Sequence, residues 1–136
     1  MDYTTEDFVP IVKEVTGGHG ADVVYDPVGG EVFDKSRRCI AFEGRLLVVG
    51  FTSGQHPSAP ANHVLVKNYS VVGLHWGLYR KHEPALFWRT HEELLRLVGE
   101  GLIDPLVGDV LPLDQAPQAL ARLGDRGTVG KVVLVP

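Results

Sequence analysis

The sequence contains a single cysteine, Cys39, so no internal disulfide can form, and no cysteine or histidine stands at metal-ligand spacing from it. No apolar run approaches the roughly 18 residues that a membrane-spanning helix needs. The 13 basic residues are outnumbered by 17 acidic residues and do not cluster, so neither nucleic acid nor an anionic membrane is an expected partner. We therefore expect a cytoplasmic protein in which Cys39 is a small buried apolar residue.

The 136 residues, of which 44% are hydrophobic, are enough for one compact domain with its own core. Short β-branched or apolar runs predict strands over 21–26, 46–49 and 70–74, which are neighbours in that order if the sheet is doubly wound. Amphipathic stretches between them predict helices, one of them over 31–41. The run 46–49 is apolar without alternation, which is typical of a parallel strand covered on both faces. A long helix is predicted from Pro84 to Gly99, with an inner face of Phe87, His91, Leu94 and Val98, followed by a strand, a short helix and a last strand over 130–135.

Glycines follow each of the first three predicted strands. The three loops are Asp26-Pro27-Val28-Gly29-Gly30, Gly50-Phe51-Thr52-Ser53-Gly54 and Gly73-Leu74-His75-Trp76-Gly77. In an open parallel sheet, ligands bind outside the carboxyl ends of the strands, and glycine lets the backbone approach a flat ligand closely. The alternative is that these glycines only make turns, but three such loops on one edge favour a ligand site.

The phosphate-binding turn of a dinucleotide fold is missing from the sequence. Such a fold needs a glycine-rich turn between its first strand and the helix that follows. The pair Gly17-Gly18 instead follows a helix and precedes a strand, so it is interpreted as a helix stop. The residues taken alone therefore predict an α/β protein with a partial Rossmann-type parallel sheet and flanking helices.

Four segments in order resemble the medium-chain dehydrogenase/reductases, and within them the zinc-free NADPH:quinone oxidoreductase group. DYTTEDFVPIVKEVTGGHGADVVYDPVGGEVFDKS is similar to the segment after that family's third strand, and GRLLVVGFTSG to its fifth strand and nicotinamide-side loop. NYSVVGLHWGLY is similar to its sixth strand, and DRGTVGKVVLVP to its carboxyl terminus.

The resemblance implies a C-terminal portion of a longer enzyme. Residues 1–100 would be the second half of the dinucleotide-binding domain, and 101–136 would return to the substrate (GroES-like) domain. The implied activity is hydride transfer to a quinone or an α,β-unsaturated carbonyl or acyl compound, without a metal. NADPH rather than NADH is the implied cofactor. A homodimer through strand 70–76 is expected, and the chain alone is expected to be inactive.

The resemblance also assigns cofactor contacts, and no catalytic residue. Tyr3 would lie against the adenosine end of the cofactor, and Arg126 would pair with the 2′-phosphate, although a solvated loop arginine is the alternative. The remaining predicted contacts lie on the three strand-end loops: Asp26, Val28, Gly50, Phe51, Leu74, His75 and Trp76. His75 is interpreted as a pocket wall rather than a proton donor.

Three possibilities stay open from the sequence. The chain is either part of such a reductase or a non-catalytic fold fragment or oligomerisation module that does not hold cofactor. An adenine-nucleotide binder of another α/β family is the third, weaker possibility.

Overall fold

The computed structural model describes residues 5–124 and 127–136, and the chain divides into two compact units, Met1–His82 and Glu83–Pro136. The elements of the first unit are α1 (Phe8–Val15), β1 (Ala21–Asp26), α2 (Gly30–Cys39), β2 (Ile40–Val48), α3 (Ala61–Lys67), β3 (Ser70–Gly73) and α4 (Trp76–His82). The assignment of residues 101–136 to a substrate domain stays a prediction, because these units reflect packing within this chain.

The first unit is built on a three-stranded sheet in the order β1-β2-β3, and both strand pairs are parallel. Asp26, Val48 and Gly73 stand side by side at the carboxyl ends of the three strands. This confirms the predicted α/β class and the predicted neighbours. It also places the three glycine-containing loops at one edge of the sheet.

Strand β2 begins earlier than predicted. The predicted helix to residue 41 ends at Cys39, because Ile40 already has an extended backbone with φ −67° and ψ 142°. Ala21 pairs with Ile40 and Val23 with Arg45, so the intervening residues of β2 form a bulge. Within this bulge Glu43 has φ 58° and donates its N–H to the Asn68 carbonyl at 2.7 Å.

The core lies on one face of this sheet. Phe33, Ile40, Leu46 and Tyr69 are buried there, with Val24, Val48, Val64 and Val71 packed around them. Full burial of a side chain such as Phe33 or Leu46 contributes about 1.5–3 kcal/mol. Cys39 is also buried, as predicted.

The opposite face of the sheet is largely exposed among the described residues of the first unit. Side chains alternate along a strand, so Tyr25, Leu47 and Val72 align in register on this face. Tyr25 is 63% exposed and Val72 40%, whereas Leu47 is partly buried. The apolar run 46–49 predicted a strand with both faces covered, whereas the described residues of this unit cover one face of the sheet.

Lys67 joins α3 to the end of α2. Its Nζ donates to the carbonyl oxygens of Arg37 and Arg38, each at 3.1 Å, and of Ile40 at 3.4 Å. These carbonyls lie where the helix has no further N–H groups to bind them, so a cation is favourable there. Burial, and then the charge of Lys13, lower the pKa of Lys67.

The second unit has its own small sheet. Its elements are α5 (Pro84–Gly99), β4 (Val107–Pro112), a 3-10 turn (Leu113–Gln115), α6 (Ala116–Gly124) and β5 (Lys131–Val135). Strands β4 and β5 are parallel neighbours, and Arg122 of α6 pairs with Asp109 of β4 at 2.6 Å. Helix α5 has no buried residue: on its predicted inner face Phe87 is half-buried, whereas His91, Leu94 and Val98 are exposed.

Among the described residues no helix is both long and apolar enough to cross a membrane.

Candidate functional site at the carboxyl edge of the sheet

Backbone hydrogen bonds extend the parallel ladder beyond the ends of the strands. Val49 donates its N–H to the Asp26 carbonyl at 2.9 Å, and Leu74 donates its N–H to the Val48 carbonyl at 2.9 Å. The loops after β1, β2 and β3 therefore start side by side. The structure brings together all seven predicted contacts that lie on these loops.

Asp26 is the buried polar residue of this edge, with 2% of its surface exposed. Its Oδ1 accepts the N–H groups of Val28 at 2.8 Å and Gly29 at 2.9 Å, which fixes the turn from β1 into α2. Its Oδ2 is buried and has no hydrogen-bond partner in the described structure. A carboxylate oxygen is an acceptor, so this atom leaves one acceptor unused at the edge.

The loop after β2 lies directly against the loop after β1. Thr52 and Ser53 donate their N–H groups to the carbonyls of Pro27 and Val28, both at 3.1 Å. Gly29 has φ 73° at the start of α2, and a Cβ placed on it would lie 3.2 Å from Cδ1 of Phe51. Glycine is therefore needed there to let the second loop approach, which is a packing reason independent of any ligand.

Phe51 lies on the surface of this paired loop. Its ring is 41% exposed and contacts the His56 ring edge to face, with 4.7 Å between the ring centres. The adjacent Gly50 is half-buried, and a Cβ there would lie 3.2 Å from the Pro27 carbonyl oxygen. Phe51 thus presents an apolar ring beside a backbone that is held close to the first loop.

The third loop leads from β3 into α4. Leu74 is half-buried, His75 is exposed, and Trp76 is the first residue of α4. The Trp76 ring stacks on Tyr79, with 5.1 Å between ring centres and 30° between planes. This loop places an aromatic surface at the same end of the sheet as Phe51.

Sequence reasoning missed three contributors to this edge: Ser53 and Gln55, which pack over Gly29 and Gly30, and Tyr79. The spacing of Trp76 and Tyr79, three residues apart, would have indicated the stacked pair if α4 had been predicted. The remaining predicted contacts, Tyr3 and Arg126, lie outside the described residues.

No group of three or more His, Cys, Asp or Glu side chains in the described ranges is arranged to hold a metal ion. A flat organic cofactor suits the edge better, because the strand-end loops offer close backbone and exposed aromatic rings. The predicted absence of a metal stays a prediction.

A parallel sheet with helices and a loop cluster at its carboxyl edge defines a Rossmann-type domain, and this one is of the medium-chain dehydrogenase/reductase superfamily. The chain belongs to the zinc-binding dehydrogenase family, whose sequence profile matches residues 1–134.

The relatives include quinone oxidoreductase-like proteins and a reductase. The chain is 42% identical over 135 residues to quinone oxidoreductase-like protein 2 homolog of Nematostella vectensis, covering 98% of this chain and 37% of that protein. It is 32% identical to the 2-haloacrylate reductase of a Burkholderia species, covering 100% of this chain and 41% of the reductase. The crystal structure of Escherichia coli quinone oxidoreductase complexed with NADPH superimposes with a TM-score of 0.85 at 29% identity, covering 100% of this chain and 42% of that one. The chain thus spans well under half the length of each of these proteins.

Proposed function

We propose that this chain forms the nicotinamide side of the site of an NADPH-dependent reductase. The observation that carries the proposal is the joining of the strand-end loops by backbone hydrogen bonds from Val49, Thr52 and Ser53. These bonds hold the loops after β1 and β2 in one arrangement against which a flat ring can lie. The NADPH bound to the similar Escherichia coli enzyme supports this choice of cofactor.

The expected contacts divide between the two ends of the cofactor. Gly50 and Phe51 are assigned to the nicotinamide ribose, and Leu74, His75 and Trp76 to the carboxamide. Asp26 acts by fixing the turn that contains Val28, through its two accepted N–H groups. Tyr3 and Arg126 are assigned to the adenosine end and the 2′-phosphate. When bound, NADPH supplies a hydride, and the acceptor is a quinone or an α,β-unsaturated carbonyl or acyl compound.

The residues of this edge position reactants rather than transfer protons. His75 is exposed to solvent, so water reaches the same region and can supply protons to a reduced carbonyl compound. Loops fixed by backbone hydrogen bonds raise the rate of a reaction chiefly by holding the reacting groups in position. His75 is accordingly proposed as a pocket wall. We also propose that the protein is cytoplasmic and that its reaction uses no metal.

A second candidate function is an oligomerisation module without cofactor. The observation that favours it is the edge strand β3, whose Val72 is 40% exposed and which has β2 as its one strand neighbour among the described residues. Such an edge can pair with a second copy. A homodimer through residues 70–76 is proposed for either function.

Amide chemical shifts of the 15N-labelled chain test the cofactor proposal. Reduced nicotinamide mononucleotide is expected to shift the amides of residues 26–30, 50–55 and 73–76, and to leave α1 and α3 unchanged. Adenosine 2′,5′-bisphosphate, which has no nicotinamide ring, is the control probe and is expected to leave these three loops unchanged.

A pair of variants makes the same test specific. Phe51→Ala is expected to weaken the response to the reduced mononucleotide, whereas Leu65→Ala, at a 79% exposed position on α3, is not. If the mononucleotide shifts no amide at millimolar concentration, or shifts other residues, the proposed cofactor site is wrong.

A further inference from the structure

The ring of Phe51 is in contact with two groups. A Cβ placed on Gly29 would lie 3.2 Å from Cδ1 of Phe51, so the ring rests close to the backbone of the first loop. The ring also meets the His56 imidazole edge to face, with 4.7 Å between ring centres and 88° between planes. Phe51 nevertheless keeps 41% of its surface open to solvent. The ring therefore has a defined position and an accessible part that a ligand can contact.

The chain reverses between Phe51 and His56. The N–H of Gly54 donates to the Phe51 carbonyl at 2.9 Å, which closes a turn, and the N–H of Gln55 donates to Oγ of Ser53 at 3.2 Å. These bonds bring residue 56 back to the ring that stands five residues before it. The backbone thus sets where His56 lies, and its side chain makes the contact with Phe51.

The contact of His56 with Phe51 lies outside the buried core. His56 is exposed, whereas the core of this unit consists of Phe33, Ile40, Leu46 and Tyr69. Aromatic rings favour an edge-to-face arrangement with centres about 4.5–7 Å apart, and one such pair adds a modest stabilisation to the area that it buries. The contact therefore acts locally, on the place of one ring, rather than on the fold.

We propose that His56 is a positioning residue, whose imidazole holds the Phe51 ring in the place where the nicotinamide ribose of the cofactor docks. This inference rests on the proposed reductase function, in which Phe51 is assigned to that ribose. His56 acts through the Phe51 ring rather than on the cofactor itself. Hydride transfer depends on how the reacting groups are placed, so it is sensitive to the position of a ring beside the nicotinamide.

Variants of the chain separate this role from a structural one. His56→Ala removes the ring, and His56→Phe keeps an aromatic ring at the same position. His82→Ala is the matched control, because it removes an exposed histidine at the end of α4. Phe51→Leu identifies the Phe51 ring signals among those of the five phenylalanines in the NMR spectrum. The probe is reduced nicotinamide mononucleotide.

In the ligand-free chain, a nuclear Overhauser contact between the Phe51 ring and the Gly29 α-protons is expected, and His56→Ala is expected to weaken it. The amides of Thr52 and Ser53 are expected to keep their protection from hydrogen exchange, since their bonds to the first loop do not involve the imidazole.

The same variants are then compared with the probe. His56→Ala is expected to weaken binding of the mononucleotide by about two- to tenfold, the range that one aromatic pair contributes. His56→Phe is expected to keep both the Overhauser contact and the affinity of the parent chain. His82→Ala is expected to change neither.

Three results would overturn the inference. The first is a Phe51–Gly29 contact or a mononucleotide affinity that His56→Ala leaves unchanged. The second is a loss of amide protection at Thr52 and Ser53 in His56→Ala, which would make His56 a structural residue of the loop. The third is a His56→Phe chain that binds the mononucleotide no better than His56→Ala.

Failure of the reductase proposal gives a different pattern. A parent chain that binds no mononucleotide, while the place of its Phe51 ring still depends on His56, overturns the cofactor site and the docking role together, and the hold of His56 on the ring stands. A parent chain that binds the mononucleotide equally well with and without the His56 ring overturns the role of His56 and leaves the cofactor site in place.

Discussion

Gly29 lies so close beneath Gln55 that a Cβ on Gly29 would come within 2.9 Å of the Gln55 carbonyl oxygen. This is closer than a methyl group approaches a backbone oxygen, and Gly29 also has φ 73°, which disfavours a side chain. The loop after β2 therefore keeps its place only while residue 29 is glycine.

Gly29→Ala is expected to lower the free energy of unfolding by about 2–4 kcal/mol, from backbone strain together with displacement of the loop. Gly54→Ala is the matched control, since Gly54 has φ 75° but nothing within 4 Å of a new Cβ. Gly54→Ala is expected to lower the free energy of unfolding by about 1 kcal/mol, from backbone strain alone. Urea unfolding measures both, and equal losses would show that the contact with the Gln55 loop contributes nothing.

Lys67→Met is expected to destabilise the chain by about 1–3 kcal/mol, because three carbonyl oxygens near the end of α2 lose a charged donor. Lys35→Met is the control: Lys35 pairs with Glu31 one helical turn away, with Glu31 79% exposed. A change below about 0.5 kcal/mol is expected there. Chemical denaturation of both variants is the measurement, and a Lys67 loss no larger than that of Lys35 would contradict the capping role.

The stability of the chain is expected to fall in mild acid through His63. Burial, and then the charges of Arg37 and Lys67, lower the pKa of His63, whose Nδ1 lies 3.2 Å from the Tyr69 hydroxyl. The folded state thus favours neutral His63, while the unfolded histidine takes up a proton near pH 6.5. The contribution of neutral His63 to the free energy of unfolding is fully present above that pH, and it is lost as the pH falls through the lowered pKa of His63 in the folded state.

Unfolding measured from pH 8 to pH 5 checks this expectation against the variant His63→Gln. The free energy of unfolding should fall more steeply in the parent chain than in the variant. Parallel pH profiles would show that His63 titrates alike in the folded and unfolded states.

The 136-residue chain is expected to bind NADPH weakly and to show no robust turnover. It has no G-x-G-x-x-G turn between a strand and a helix, and such a turn supplies the amide donors for the pyrophosphate. Titration calorimetry is the measurement. A submicromolar dissociation constant would contradict the prediction, because about 8 kcal/mol would then have to come from the remaining contacts.

A dimer through β3 is expected in solution. Val72→Lys is expected to shift the chain toward monomer, because a lysine on an edge strand opposes pairing with another strand. Val23→Lys is the control, at a 58% exposed valine on β1, the opposite edge of the same sheet. Size-exclusion chromatography with light scattering follows both, and a parent chain that stays monomeric at high concentration would contradict the proposal.

The sheet could be predicted because its strands carry strong local signals. The runs around Val24, Leu47 and Val72 are β-branched or apolar and are bounded by glycine, and all three pair in the predicted order. Their parallel direction then fixes which loops share an edge. The sequence alone therefore places Asp26, Gly50 and Leu74 at the same edge of the sheet.

The start of β2 and the helices α3 and α4 could not be predicted in the same way. Residues 40–41 continue the helical periodicity of α2, and pairing of Ile40 with Ala21, a contact across the chain, decides for strand. Helix α3 begins after Pro60 without a side-chain cap, so the usual starting signal is absent. The acceptor of Asp26 left without a partner is likewise a property of three-dimensional packing and has no signal in the sequence.

The hydrogen bonds from Thr52 and Ser53 to the first loop have a thermodynamic consequence for recognition. A flexible loop that orders on association loses conformational entropy, which reduces the affinity. The segment around Phe51 becomes ordered when the chain folds, because the amides of Thr52 and Ser53 are hydrogen-bonded to the first loop. A ring that docks on this edge therefore meets a preorganised surface, and its binding enthalpy is not offset by the entropy of arranging these loops.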